Sequence, residues 1–112
     1  MSGSGGSRDD GPVGAGTGGS DPCLRIWRGP INSPKAAVLA PLGVGSALGV
    51  EVRTPGSSPI LTVTSASGAA AGSLTFVGYL GIIDCIRNRG VSYKATIISI
   101  AGGVYEVRVE PL

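Results

Sequence analysis

The stretch SYKATIISIAGGVYEVRVE, residues 92–110, decides the fold class. Its first part, Ser92–Ile100, is rich in β-branched residues, and apolar and charged side chains alternate from Val104 to Glu110. An alternation with a period of two is typical of a strand that buries one face. Gly102 and Gly103 lie between the two segments and tolerate the positive φ of a tight turn. We therefore predict that the chain ends in an antiparallel hairpin.

Four further segments upstream have the composition of strands. They are Cys23–Arg28, which Gly29 and Pro30 interrupt, Ala47–Arg53, Ile60–Thr64 and Ala69–Leu74. The last two are predicted to pair around a turn at Ala66–Gly68. A short helical turn is predicted at Lys35–Leu42, with Ser33 as its N-cap.

One longer helix is predicted from Phe76 to Asn88, capped by Thr75 and ended by Gly90. Its expected apolar stripe consists of Val77, Leu80, Ile83 and Ile86. Gly78 and Gly81 each cost about 1 kcal/mol relative to Ala inside a helix. Two explanations remain open for them: close packing of the helix on the sheet, or close approach of a ligand to the backbone.

The order of the predicted elements indicates the fold class. A strand and a short helical turn come first, followed by three strands, one helix and two final strands. Short antiparallel strands closed over one helix predict a mainly β protein, a small antiparallel β-barrel or sandwich capped by that helix.

Composition divides the chain into two parts. Residues 1–21 are rich in Gly and Ser and are predicted to be a disordered tail, either a passive extension or a tether to a partner. Residues 22–112 are predicted to form one small domain. The chain has nine Lys and Arg and seven Asp and Glu. Residues 1–21 contain one of the basic residues and three of the acidic residues. The domain therefore carries a net charge of +4, which permits contact with nucleic acid without requiring it.

Cysteine usage and hydropathy bear on the compartment. The N-terminus has no basic segment followed by an apolar one, and no stretch of about 18 apolar residues occurs. We therefore expect a cytoplasmic protein without a membrane segment. Cys23 and Cys85 form no Cys-x-x-Cys pair and could form a disulfide only if the fold brought them together. We expect free thiols, with Cys85 buried as a small hydrophobic side chain.

The residue inventory argues against catalysis. The chain contains no His, so a Ser or Cys nucleophile would lack its usual base. Glu106 and Glu110 lie about 13 Å apart by strand rise, which is too far for paired acid and base work. Two distant Cys residues do not make a metal site. We expect no enzyme activity, no catalytic residues, no metal and no cofactor.

Binding is the remaining role. The residues predicted to contact nucleic acid are Arg25, Arg53, Tyr79, Arg87, Arg89 and Lys94. For Arg87 and Arg89, the alternative is that they only complement the carbonyl groups at the helix end. Trp27 and Tyr93 are available for base stacking, or they pack inside the barrel.

Residues 37–111 resemble the HIRAN family of small barrel domains. Val38–Leu48 is similar to the family's L-x-x-L-x-x-G-D-x-L entry into a strand, and Gly68–Thr75 is similar to the G-x-x-x-G-Y-L-P segment before its helix. Gly90–Ala95 and Ile100–Gly103 resemble its closing hairpin.

The resemblance implies binding to single-stranded DNA or DNA ends, in a family often attached to helicases and nucleases. Two departures concern the ligand site. The loop that matches the family's N-P-Y-D nucleotide contact is Thr54–Pro59, which has no Asn, Tyr or Asp, and Ser73 replaces the aromatic residue. We therefore expect a DNA-binding accessory subunit of a larger bacterial system, or alternatively a module that docks on a larger protein effector without nucleic acid.

Overall fold

A computed structural model describes residues 21–112, so residues 1–20 of the predicted tail lie outside the described part of the chain. The described residues begin with a 3₁₀ turn at Pro22–Leu24. The other elements are β1 (Trp27–Pro30), α1 (Ala36–Leu39), β2 (Ala47–Arg53), β3 (Ile60–Thr64), β4 (Ala70–Ser73), α2 (Tyr79–Arg89), β5 (Tyr93–Ala101) and β6 (Val104–Pro111).

The six strands form one antiparallel sheet in the order β1-β6-β5-β2-β3-β4. The sheet curls into a half-barrel, and an isolated bridge links the segment after β1 to the edge strand β4. In that bridge, the Asn32 N–H donates to the Ser73 carbonyl at 2.7 Å, and the Ser73 N–H donates to the Asn32 carbonyl at 2.9 Å. The mainly β prediction with one capping helix is therefore confirmed.

The core lies between the concave face of the sheet and α2. Fully buried side chains from the sheet and the helix include Leu48, Leu61, Val63, Ile82, Ile97, Val107 and Val109. The predicted closing hairpin is present as β5 and β6, and both turn residues, Gly102 and Gly103, have positive φ. The predicted bounds of β2 and β3 are also those of the structure.

The first predicted strand, Cys23–Arg28, is wrong at both ends. Asp21 accepts a hydrogen bond from the Cys23 N–H at 2.9 Å and begins the 3₁₀ turn, so the strand starts only at Trp27. It then continues through Gly29 and Pro30, which were expected to interrupt it. An edge strand tolerates proline because one side of its backbone has no ladder partner.

The short helix is smaller than predicted and has a different cap. It covers only Ala36–Leu39, and its N-cap is Lys35, which makes no side-chain capping hydrogen bond. Ser33 was expected to cap it, but its φ is +52°, a left-handed conformation that removes it from the capping position. The Lys35 N–H instead donates to the Ala71 carbonyl at 2.9 Å, which fixes this segment beside β4.

The long helix begins later than predicted, because Gly78 has a left-handed φ of +103° and serves as the N-cap instead of Thr75. Val77 therefore precedes the helix and is 97% exposed, and Leu80 is 61% exposed. The predicted stripe is wrong for these two residues, but its member Ile83 is buried, and Ile82 and Cys85 complete the buried face. Gly90 ends the helix in a left-handed conformation, as predicted.

The two glycines of this region have different explanations. A Cβ built at Gly78 would lie 2.7 Å from Trp27 Nε1, so close packing explains this glycine. A Cβ at Gly81 would meet no atom within 4 Å. Close packing is therefore the wrong explanation for Gly81.

Candidate functional site

Cys23 and Cys85 form a disulfide, with their Cα atoms 5.7 Å apart. The expectation of free thiols is therefore wrong, and so is that of Cys85 as a simple buried hydrophobic side chain. Both residues are buried, and the bond fastens the 3₁₀ turn to α2. The sequence could not reveal this pairing because it depends on the packing of two distant segments.

A set of polar contacts surrounds the disulfide. Both terminal nitrogens of Arg89 lie 2.8 Å from the carboxylate oxygens of Asp21. Arg89 Nη1 also lies 3.2 Å from Cys23 Sγ. The Tyr93 hydroxyl donates to the Cys23 carbonyl at 2.6 Å. These contacts join the start of the described chain to α2 and β5.

The contacts shift the ionisation of three groups. The Arg89 hydrogen bond, and then the Cys23 N–H, hold the pKa of Asp21 below its ordinary value. The same hydrogen bond to Asp21 raises the pKa of Arg89. Burial raises the pKa of Tyr93, and the nearby Asp21 charge adds to that effect.

Four of the six predicted nucleic-acid contacts have their backbone near the disulfide, in a region that we call the disulfide end. Arg25 and Arg87 each follow a disulfide cysteine by two residues, and Arg89 contacts Cys23 directly. Lys94 follows Tyr93, which also contacts Cys23, but Lys94 lies between the buried residues Tyr93 and Ala95, so its side chain faces the opposite side of the sheet. The other two predicted residues, Arg53 and Tyr79, lie elsewhere, at the end of β2 and at the start of α2.

The charges at the disulfide end are partly paired. Arg89 is bound to Asp21, and Lys94 Nζ lies 3.8 Å from a Glu110 carboxylate oxygen. Within residues 21–112, Arg25 and Arg87 have no carboxylate within 4.0 Å, and both are exposed. In that part of the chain, Arg25 and Arg87 are therefore the cations of the disulfide end whose charge is uncompensated.

The aromatic residues pack inside the protein more than they face solvent. Trp27 and Tyr93 contact each other edge to face, with ring centroids 6.2 Å apart. Tyr93 is only 3% exposed, so its ring has no free face for a base. Trp27 and Tyr79 are partly buried and pack against the core cluster. The packing interpretation of Trp27 and Tyr93 is therefore the one that the structure shows.

A pocket of about 620 Å³ lies against the outer face of β3 and β4. Its lining residues are Ser33, Lys35, Arg53, Thr54, Pro55, Ile60, Thr62, Ala70, Gly72 and Ser73. They include two cations, four hydroxyl groups and no carboxylate. Arg53 is one of the predicted contact residues, but the pocket as a whole was not predicted from the sequence.

Backbone geometry shapes the rim of this pocket. Ser33 is the single non-glycine residue with positive φ in residues 21–112. Gly72 has a φ of +150°, and a Cβ there would collide with Ile31 Cγ2 and lie 2.9 Å from the Asn32 carbonyl oxygen. No local motif announces this contact, because it arises only when the segment after β1 crosses β4.

The two cations of the pocket have different surroundings. Arg53 Nε forms an ion pair with Glu51, and Arg53 Nη2 donates to the Gly68 carbonyl at 3.2 Å. Lys35 is exposed and has no carboxylate within 4.0 Å among the residues that the structure describes. Lys35 therefore supplies the uncompensated positive charge of the pocket.

Exposed apolar side chains flank the contact between Trp27 and Gly78. Leu24 and Ile26 precede Trp27 and are 64% and 56% exposed, while Val77 and Leu80 lie on either side of Gly78 in sequence. Burial of such side chains against another protein would be favourable.

The described residues hold neither a cluster of metal ligands nor a membrane-spanning helix. Across residues 21–112, no three His, Cys, Asp or Glu residues lie together as metal ligands. No helix in this part of the chain is long and apolar enough to cross a membrane.

Comparison with protein-family models, curated proteins and solved structures finds no match to this chain. The HIRAN resemblance therefore stays a prediction that rests on the short motifs quoted above.

Proposed function

We propose that the chain is a non-catalytic binding module that contacts DNA through the disulfide end, as an accessory subunit of a larger bacterial system. The observation that carries this proposal is that Arg89 contacts the disulfide and that the backbones of Arg25, Arg87 and Lys94, which are far apart in sequence, lie near it. The net charge of residues 22–112, +4, favours an anionic partner.

The pairing of these charges predicts modest, salt-sensitive binding. Arg89 and Lys94 share their charge with Asp21 and Glu110, so Arg25 and Arg87 would make the main phosphate contacts. Each phosphate contact contributes a slope of about −0.9 to the dependence of log affinity on log salt for duplex DNA. Two contacts therefore predict a slope near −2.

The test is a salt series with labelled single-stranded and double-stranded DNA, starting at about 50 mM salt. The double variant Arg25→Ala/Arg87→Ala is expected to weaken binding and flatten the slope by about 2. The matched control is Arg28→Ala/Lys35→Ala, which removes the same charge from two exposed residues outside the disulfide end that have no carboxylate within 4.0 Å among residues 21–112. Absence of binding at the lowest salt, or an equal loss in both variants, contradicts the proposal.

Docking on a larger protein effector is the second candidate. The exposed side chains of Val77 and Leu80 favour it. A partner that co-purifies from the native host after nuclease treatment, and is lost with Val77→Ser/Leu80→Ser, would support docking. A partner lost on nuclease treatment alone would support the DNA proposal.

The cytoplasmic localisation proposed from the sequence has to be weighed against the disulfide. Disulfides persist in oxidising compartments and are rare in cytosolic proteins. Alkylation of free thiols in the native cells distinguishes the cytoplasm from an oxidising compartment. Free Cys23 and Cys85 would favour the cytoplasm, and a bonded pair would favour an oxidising compartment.

A further inference from the structure

The pocket beside β4 has the size and the lining of a small-molecule site. Its volume of about 620 Å³ falls within the range of ligand pockets, roughly 300 to 1,000 Å³. Such sites combine apolar walls with a few convergent polar groups. Here Pro55, Ile60 and Ala70 provide apolar wall, and the hydroxyl groups and the two cations provide polar groups.

The buried hydroxyl of Thr62 is the observation that indicates a ligand. It lies on β3 between Leu61 and Val63, which are core residues, and therefore faces the opposite side of the sheet, where it lines the pocket. Thr62 is only 6% exposed. Within residues 21–112 its hydroxyl has no hydrogen-bond partner. Buried polar groups normally have a partner, so an unpartnered hydroxyl at a pocket wall calls for one.

Electrostatics limits the charge of the ligand. The Arg53 guanidinium is paired with Glu51, whereas Lys35 has no carboxylate within 4.0 Å in the described part of the chain. The pocket thus offers about one net positive charge. A carboxylate matches that charge and accepts hydrogen bonds from both an ammonium group and a hydroxyl.

We infer that this pocket binds a small organic carboxylate with an apolar body. Its carboxylate oxygens accept hydrogen bonds from Lys35 Nζ and the Thr62 hydroxyl, and its apolar part lies along Pro55 and Ile60. The Asn32–Ser73 bridge and the Lys35–Ala71 hydrogen bond hold the rim that Ser33 forms against Gly72.

The test follows backbone amide signals by NMR while hexanoate is added to the full chain, with hexanamide as the neutral ligand of the same shape. Hexanoate is expected to move the signals of Lys35, Thr62 and Gly72. Hexanamide is expected to bind at least about tenfold more weakly, because it lacks the charge-assisted hydrogen bond. Equal binding of the two compounds, or signal changes scattered outside the pocket, would overturn the inference.

Two variants and one control sharpen the assignment. Lys35→Met removes the charge and is expected to weaken hexanoate binding about tenfold or more, and Thr62→Val removes only the hydroxyl and is expected to weaken it about threefold to tenfold. Lys94→Met removes a charge at the disulfide end and is expected to change nothing. An unchanged affinity of Lys35→Met contradicts the inference, and the comparison with hexanamide holds even if Thr62→Val fails to fold.

Addition of DNA to the hexanoate-bound protein distinguishes this site from the proposed DNA-binding site. A single-stranded oligonucleotide that moves signals near Arg25 and Arg87 while hexanoate stays bound agrees with both proposals. An oligonucleotide that displaces hexanoate and moves the Lys35 and Thr62 signals assigns the pocket to DNA and refutes the small-carboxylate assignment. Failure of DNA binding alone leaves the hexanoate result intact.

Discussion

The Tyr93 hydroxyl donates a hydrogen bond to the carbonyl oxygen of Cys23 at 2.6 Å, between residues 70 positions apart in the chain. Tyr93 begins β5 and is 3% exposed, while Cys23 lies in the 3₁₀ turn. The bond therefore satisfies a buried carbonyl in a segment that belongs to no strand. Together with the disulfide, it holds the start of the described chain against the body of the domain.

Replacement of Tyr93 by Phe is expected to lower the free energy of unfolding by about 1 to 2 kcal/mol, because the buried Cys23 carbonyl loses its partner while the ring remains. Denaturant unfolding of both proteins measures the change. Tyr105→Phe is the matched control, since the Tyr105 hydroxyl has no hydrogen-bond partner within residues 21–112, and it is expected to change stability by less than about 0.5 kcal/mol. Equal effects of the two substitutions would refute the role of the bond.

Loss of the disulfide is expected to lower the free energy of unfolding more than Tyr93→Phe does. The bond joins residues separated by 62 positions, and the chain-entropy model gives about 4 kcal/mol for a loop of that length. Denaturant unfolding of Cys23→Ala/Cys85→Ala, compared with the oxidised protein, measures this loss. A thiol reagent that labels both cysteines of the denatured, unreduced protein would show that the bond is absent.

The two glycines near the start of α2 are expected to respond in opposite directions to alanine. Gly81→Ala should raise the free energy of unfolding by about 1 kcal/mol, because Gly81 lies inside the helix and its Cβ would meet no atom within 4 Å. Gly78→Ala should lower it by about 1 to 3 kcal/mol, because φ is +103° and Trp27 Nε1 is 2.7 Å away. Thermal or denaturant unfolding tests both, and a destabilising Gly81→Ala would contradict the assigned environment.

The ion pair between Asp21 and Arg89 predicts a pH dependence of stability. Since the folded protein holds the pKa of Asp21 below its ordinary value of 3.8, the stabilisation is present above about that pH and is lost as pH falls through the lowered folded value. Asp21→Asn keeps an acceptor for the Cys23 N–H and removes the charge. The difference in unfolding free energy between this variant and the original chain should shrink as pH falls from about 6 towards 2.

A difference that persists undiminished at the lowest pH would contradict this account. Glu106→Gln is the control, because Glu106 has no cation within 4.0 Å in the part of the chain that the structure describes. Its effect on stability is expected to be small at every pH.

The parts of the fold that the sequence predicted are those set by local pattern. The alternation in Ala47–Arg53 and in residues 104–110 determines which side chains face the core, and the glycines at 102 and 103 determine where the last hairpin turns. The start of α2 could not be predicted in this way. It depends on the left-handed Gly78, which fits against Trp27, a residue far upstream.

In the candidate site too, some features could be predicted from the sequence and others depend on tertiary contacts. The cationic residues are visible in the sequence, but their pairing with Asp21 and Glu110 depends on tertiary contacts. The disulfide depends on the packing of the 3₁₀ turn on α2, and the pocket depends on the crossing of Ser33 over Gly72. Neither has a sequence signal of fixed spacing. An alternation pattern describes neighbours along one strand, whereas these features join segments that are distant in the chain.

The Cys23–Cys85 bond also makes residues 23–85 a closed covalent ring that contains β1, β2, β3, β4 and the first part of α2. The exposed loop Thr54–Pro59 lies within that ring. A single cut in this loop therefore opens the ring without dividing the molecule, and the two pieces stay covalently joined until the sulfur–sulfur bond is reduced.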